Sequence, residues 1–507
     1  MIGKIFCSAA ALIATVLANS QQAAIIDQND LQACSILDFQ LSGRVSFPDN
    51  DLYKSQSESY WAANQGELLA SCRVAPRDSA DLQQIMLLIS QTGAFFAVKS
   101  GGHSVVANTS NIADGIVIDL EQLNHVTVHP DLGIVDVGVG ARWKDVYQKL
   151  EGTDYGVVGA RAGSVGVGGY LLGGGLSPFS GIAGWACDNV LLLEVVLANG
   201  TILEVDHGHH PDLFMGLKGG GSNFGVVSRA RLQLVKAHDQ FDVAFVHYEG
   251  VYFMHVIRAI TKYTHMAIQD PEASVSVSVG GLFDGRPPTI SAVLSHGQSV
   301  LSSKVLEPFF EFGHHLVSHE RISQLGLARI YDDMNPKDFR QHRTTVTIQN
   351  DVDALTDIVQ GYVSDLYPSL GYLGESNMRG GLLIQPLTES HLHFGRIANP
   401  NMLGLQDEPA SLLLLSVEAR HSDPYNDKFV RPLISEFMDG ADRLATGRNA
   451  SHQFRYLNYA SADQLPFEQV QSNHKLWKEV QAVKQRYDPH NVFHKQMRHP
   501  FKIQPSS

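Results

Sequence analysis

Three glycine-rich loops, each set beside a short apolar run, constrain this chain more than any other feature. Lys99-Ser100-Gly101-Gly102-His103-Ser104 follows the strand-like run Ala94-Phe95-Phe96-Ala97-Val98. A second cluster runs Gly163-Ser164-Val165-Gly166-Val167-Gly168-Gly169-Tyr170-Leu171-Leu172-Gly173-Gly174-Gly175. The third, Lys218-Gly219-Gly220-Gly221-Ser222-Asn223-Phe224-Gly225, leads into a β-rich run at Val226. Glycines accept positive φ and let the backbone approach a ligand, and their successive N–H groups can form an anion-binding nest. Several such loops suit an extended dinucleotide better than a compact phosphate. The second cluster has GxGxxG-like spacings but lacks the strand–glycines–helix setting and ribose-binding acid of a doubly wound fold. It also lacks the Lys-Ser/Thr ending of a P-loop.

A chain of 507 residues is too long for one ordinary core and implies two or three domains. Its formal charge of −14 argues against a nucleic-acid groove and against binding an anionic membrane surface. Residues 1–20 read as a signal peptide. Met1 to Lys4 form the positive n-region, Ile5 to Leu17 the apolar core, and Ala18 and Ser20 the small residues before a cut at Gln21. That stretch is shorter than the ~20 residues a membrane span needs, so the mature protein is expected in the secretory lumen or outside the cell. Cys7 leaves with the signal. In an oxidising compartment Cys34 and Cys72, both N-terminal, are the favoured bridge, leaving Cys187 as a buried thiol. Asn108, Asn199 and Asn449 open N-glycosylation triplets.

The organisation is α+β. Residues 21–237 alternate short strands with glycine turns: Ile116–Leu120 and Ile134–Val137 as strands, Trp143–Leu150 as a helix. Leu193 to Val205 reads as a hairpin closed by Asn199-Gly200 in a type I′ turn. Residues 238–440 read as a second domain, an antiparallel sheet backed by helices, with strands at Phe241–His247, Ser274–Val279 and Ser411–Val417. Helical spacing marks the stretches around Phe253–Ile260 and Val352–Leu366. Residues 441–507 form a docked C-terminal segment. His207-Gly208-His209-His210 lies in a polar turn without further ligands at metal spacing, so no metal site is expected.

The order KSGGHS, GSVGVGGYLLGGGLS, GWACDNVLLLEVVLANG and KGGGSNFGVV, closed by YDPHNVF, resembles the FAD-linked oxidases of the vanillyl-alcohol oxidase type. Within that PCMH-type FAD-binding superfamily it is most similar to the berberine-bridge-enzyme-like branch, in a fungal secreted style. The resemblance implies that the first domain and the C-terminal segment hold FAD beneath the central sheet. It makes His103 the residue bonded to the flavin 8α-methyl. It assigns Lys99, Ser100, Gly101, Gly102 and Ser104 to the pyrophosphate loop. Ser164, Val165, Gly168, Gly169, Tyr170, Gly173, Gly174 and Gly175 would wrap the ribityl chain and ring edge. Val226 and Val227 would lie at the adenine side, with Asn491 in the closing motif. A shared N-terminal disulfide supports Cys34–Cys72.

Two departures stand out. Many relatives carry a second flavin link through a cysteine three residues before the Val-Gly of the second loop, where this chain has Ala162. One covalent attachment, through His103, is therefore expected. The histidine that often follows the Gly-Gly of that loop is replaced by Tyr170. Oxidising an alcohol carbon also requires a base for the hydroxyl proton. Tyr456-Leu457-Asn458-Tyr459 matches a Tyr-x-Asn motif whose first tyrosine faces substrate in the family, which nominates Tyr456 and Asn458. Gln385 and Glu418, on neighbouring strands, are candidate polar partners. The expected function is a secreted FAD oxidoreductase acting on a small secondary metabolite and reoxidised by oxygen, the apolar strand Leu412–Leu415 favouring that substrate. The alternatives are a carbohydrate or oligosaccharide oxidase of the same fold and a non-catalytic glycoprotein.

Overall fold

The computed structural model describes residues 28–236, 240–375, 377–398 and 400–505. The signal segment at 1–20 and the boundary at 237/238 lie outside the described residues. The N-terminal half contains a four-stranded sheet ordered Val45–Ser46, Cys72–Val74, Ile116–Asp119, Phe96–Lys99. The last three strands pair in parallel. Burial on both faces explains why Ile116-Val117-Ile118 is continuously apolar rather than alternating. The helix Ser79–Thr92 makes the crossover between parallel strands; Asp78 caps it through the Asp81 amide, and Gly93 ends it in the left-handed region. Its buried face is Leu82, Ile85, Met86 and Ile89. This β-α-β unit leaves the first glycine loop at the carboxyl end of Phe96–Lys99, where open parallel sheets receive ligands.

A five-stranded antiparallel sheet follows, ordered Val126–His129, Ile134–Gly138, Val226–Gln233, Val190–Val196, Ile202–Val205. Its last two strands are the expected hairpin, but the turn differs. The Gly200 amide donates to Leu197 O, and of the loop residues only Gly200 has positive φ, 76°. A type I′ turn needs positive φ at both central residues; this loop takes the three-residue form with glycine at the left-handed position. Cys34, on helix Gln28–Gln40, is bonded to Cys72, 38 residues away, and Cys187 is a buried free thiol. Replacing both Cys34 and Cys72 with alanine should lower stability by about 2–4 kcal/mol, read as a lower urea midpoint.

The central unit is an eight-stranded antiparallel sheet. Its order is His315–Ile322, Phe241–Tyr248, Thr289–His296, Ser274–Leu282, Arg379–Leu387, Leu412–His421, Arg340–Gln349, Ser451–His452. The Ser-Val-Ser-Val-Ser-Val pattern at 274–279 shows how it is used. Val275, Val277 and Val279 enter the core under helices Phe253–Met266, Val352–Gly361 and Asp427–Gly447. Ser276 and Ser278 face the opposite side, towards a cavity. The helix Asp427–Gly447 runs through residue 440, and Ser451–His452 adds to this sheet, so the central unit reaches His452 rather than ending at 440. The remaining chain packs back on the N-terminal half. The Phe96 amide donates to Gln496 O, and Asn223 of the third glycine loop bonds Phe501 O and the Ile503 amide.

One ionic network ties the two halves. Arg340 donates to both Glu67 and Asp427, and Asp427 Oδ1 also faces His342 Nε2 at 2.8 Å and His421 Nε2 at 3.2 Å. Hydrogen bonds from His342, His421 and Arg340 outweigh burial and hold the Asp427 carboxyl well below the usual carboxylate range. Asp427→Asn should cost roughly 2 kcal/mol at neutral pH. Because the folded value is depressed, that contribution is present above the unfolded value near 3.9 and fades as pH falls below it. The gap between the wild-type and variant urea midpoints should therefore be constant above about pH 5 and begin to narrow as pH falls below about 3.9.

Candidate active site

The two halves enclose a cavity of about 950 Å³, large for a small-molecule site. All three glycine loops border it, together with the Ser276 face of the central sheet and the C-terminal residues Phe493, Met497, His499 and Phe501. The first two loops touch backbone to backbone: a Cβ at Gly101 would run into the Gly166 nitrogen. Ser100 clasps them, its Oγ donating to Val139 O at 2.6 Å and accepting from the Gly168 amide at 3.2 Å.

At the centre of the first loop, His103 stacks on Trp61, ring centroids 4.2 Å apart and nearly parallel. Its Nε2 lies 3.1 Å from Ser164 Oγ. Both the amide and the hydroxyl of Ser164 donate to Asp332 Oδ1, at 3.0 and 2.7 Å. With the hydroxyl proton committed to Asp332, Ser164 Oγ can only accept from His103. Nε2 therefore carries the ring proton and Nδ1 keeps its lone pair. Burial first, then the nearby Arg142 and Arg343 charges, push the imidazole pKa down to about 3, so the ring is neutral at physiological pH.

The wall fits FAD. Among the described residues, the amides of Gly101, Gly102, His103 and Ser104 donate to no protein acceptor, although Gly101 and Gly102 are buried. Four unpaired donors in a row call for an anionic oxygen cluster such as a pyrophosphate. Gly169 borders the cavity and opens onto free space, with no heavy atom within 4 Å of an added Cβ. The buried Tyr170 hydroxyl, also at the wall, has no protein partner. Val165, Gly168, Gly173, Val226 and Val227 line the cavity as well.

Several nominated residues stand elsewhere. Lys99 turns its ammonium onto Asp119, at 2.8 and 3.1 Å, and is buried there. Gly174 packs on Leu403 and Trp185, and Gly175 on Tyr170 and Ala186. Asn491 takes a left-handed conformation in the closing turn, its amide bonded to Asp488 O. Ser164 acts behind His103 rather than on the cavity wall. Asn199 and Asn449 are exposed, whereas Asn108 is half-buried.

The central sheet and the segment around residue 458 close the other side. Tyr456 is fully buried beside Trp185, and its hydroxyl accepts from the Gly175 amide at 3.1 Å and Asn458 Nδ2 at 3.2 Å. Burial pushes its pKa above the ordinary tyrosine value. Asn458 also donates to Tyr170 O, bracing the second loop. The half-buried Tyr459 is different. Its hydroxyl accepts from Arg161 Nη2 at 2.9 Å, while the Arg343 guanidinium lies 4.4 Å above its ring. Arg343 in turn pairs with Glu418 at 2.5 Å. Of the two proposed polar partners, Glu418 borders the cavity; Gln385 is buried away from it. Leu412 to Leu415 are core residues on both faces and do not line the cavity, so that strand carries no information about substrate. Trp61, Arg161, Asp332, Arg343 and Tyr459 were not singled out from sequence. Arg161 and Tyr459 lay beside or within flagged motifs, but nothing local marks the other three.

This architecture is that of a PCMH-type FAD-linked oxidoreductase. Residues 70–206, which hold the first two glycine loops, match the family described as FAD binding domain. The chain is 33% identical, over 91% of its length and 92% of the relative's, to the FAD-dependent monooxygenase tpcD of Cochliobolus heterostrophus. Glucooligosaccharide oxidase from Acremonium strictum, whose FAD is 6-S-cysteinyl, 8α-N1-histidyl, superposes with a TM-score of 0.74 at 19% identity, over 93% of this chain and all of that one. A variant of berberine bridge enzyme gives a TM-score of 0.74 at 16% identity, over 94% of this chain and 100% of that one. The chain belongs to this family of FAD-dependent oxidoreductases.

Proposed function

We propose that the protein is a secreted FAD oxidoreductase that holds its flavin through His103 alone and oxidises an alcohol or related carbon of a small organic metabolite, with oxygen as acceptor. FAD, when bound, supplies the two-electron acceptor for that oxidation. The observation that carries the reading is the facing pair of sites in one cavity: the unpaired amides of 101–104 with neutral His103 on one wall, and Tyr459 between two guanidiniums on the other. The covalently held FAD of the glucooligosaccharide oxidase supports attachment at His103, and alanine at 162 limits it to one bond.

The nominated base moves from Tyr456 to Tyr459. Tyr456 and Asn458 also border the cavity, but Tyr456 is fully buried and burial raises its pKa despite two N–H donors on its oxygen, whereas the half-buried Tyr459 oxygen receives a charged guanidinium. Tyr459, as a phenolate compensated by the Arg161 guanidinium that donates to its oxygen, takes the substrate's hydroxyl proton and ends as the phenol. The monooxygenase name of the sequence relative supports a second reading, in which an oxygen atom enters the product. Candidate alcohols should be screened for bleaching of the flavin absorbance under nitrogen, then air re-admitted with labelled oxygen. Bleaching, recovery in air and unlabelled product support the oxidase; labelled product supports the second reading. A colourless protein that cannot be reconstituted with FAD would overturn both. The exposed Asn199 and Asn449 are proposed as glycan carriers, consistent with the Cys34–Cys72 bond of an oxidising compartment.

A further inference from the structure

Arg161 is a half-buried guanidinium at the cavity wall with no carboxylate in ion-pair contact among the described residues. Its only hydrogen bond there is the one it gives to Tyr459 Oη, and it stands over the Tyr331 ring at 5.9 Å. One of its five N–H donors is used. A charge partly withdrawn from water gains most from a paired anion. Arg161 borders the cavity, so its unused donors are available to a group the cavity receives.

The surrounding wall has the same bias. In a chain of net charge −14, the cavity is bordered by Arg161, Arg343, Arg379 and Arg420 against Asp333 and Glu418. Glu418, the carboxylate whose field reaches Arg161, is already spent on Arg343. Arg379 and Arg420 stand directly opposite one another on adjacent antiparallel strands, a like-charge pairing that destabilises a sheet. Burial, then the nearby Arg379 charge, lowers the pKa of Arg420. Of the three bordering histidines, burial pushes His103 and His499 down to about 3, and burial with the nearby His315 charge lowers His247 as well. Low-dielectric walls of one sign focus the field into the cleft.

We infer that the substrate enters as a small organic carboxylate, received by Arg161 beside Tyr459. The inference rests on the oxidoreductase reading of the cavity. It separates this chain from a site for neutral sugars, because a planar fork of N–H donors matches a two-oxygen anion rather than a ring of hydroxyls.

The test uses the flavin-loaded protein and three probes, benzoate, its neutral isostere benzamide, and cellobiose, followed by calorimetry and by flavin absorbance. Benzoate should bind at least roughly tenfold more tightly than benzamide, and Arg161→Met should erase that preference. Arg161→Lys should restore it in part, since the charge returns without the fork. Equal binding of benzoate and benzamide, or tighter binding of cellobiose, would overturn the inference. So would unchanged benzoate affinity in Arg161→Met together with a shifted flavin spectrum, which would assign the guanidinium to the flavin. If the protein holds no flavin the functional reading fails by itself, while calorimetry of the three probes still decides the anion preference.

Discussion

Replacing His103 with alanine should leave a protein that binds FAD but releases all of it into the supernatant on acid precipitation, whereas the wild-type pellet stays yellow. The loss is expected to be complete because Ala162 provides no second anchor. Asp332→Asn should leave non-covalent binding intact and slow the appearance of acid-stable flavin. With Asp332 no longer an obligate acceptor, Ser164 Oγ is free to donate to His103 Nε2, and the tautomer with a bare Nδ1 is no longer enforced. Attachment should be independent of pH between about 5 and 8, because the ring is neutral far below the ordinary histidine value of ~6.5. A rate that rises with a midpoint near pH 6.5 would contradict that. The depressed value also has a stability consequence of definite sign. The unfolded imidazole takes up a proton near pH 6.5 and the folded one only near 3, so acidification across that interval favours unfolding of the apoprotein. Acid-stable flavin in His103→Ala would remove the single-link proposal altogether.

What sequence could reveal here follows the range of the physics involved. Local patterns read through: the Ser-Val alternation at 274–279 predicts a half-buried strand, which the structure builds with its valines in the core, and the Gly101-Gly102 turn marks an amide nest. Backbone detail that depends on one dihedral did not, as the turn ending at Gly200 shows. Apolar composition misled at Leu412–Leu415, because a strand covered on both faces looks the same as a strand lining an apolar pocket. The chemistry of the site is set by long-range pairs. Arg161 and Tyr459 are 298 residues apart, and Ser164 and Asp332 168. Neither pairing leaves a local trace, since an arginine or aspartate in a loop is ordinarily solvated. Lys99 shows the converse: a cation beside a phosphate-loop motif invites a ligand role, but Asp119 on the neighbouring strand had already claimed it.

Tyr459→Phe should slow anaerobic flavin bleaching by substrate about 10²–10⁴-fold, the range expected when a positioned proton acceptor is removed. Substrate binding should change much less, because Arg161 and the cavity wall remain. The companion variant separates the two tyrosines of the motif. Tyr456→Phe removes the acceptor for the buried Gly175 amide, so its main effect should be a stability loss of about 1–3 kcal/mol. Its bleaching rate should stay within a few-fold of wild type once the fraction folded is matched. The reverse pattern, a fast Tyr459→Phe and a slow but stable Tyr456→Phe, would return the role to Tyr456. Arg161 provides a further check, because it bonds the Tyr459 oxygen directly. If the phenol exchanges its proton against that fixed cation, Arg161→Met and Tyr459→Phe should be non-additive, the double variant being little slower than the worse single one. Additive losses would mean that proton transfer at Tyr459 does not depend on the guanidinium, the 2.9 Å contact between them being only a matter of packing.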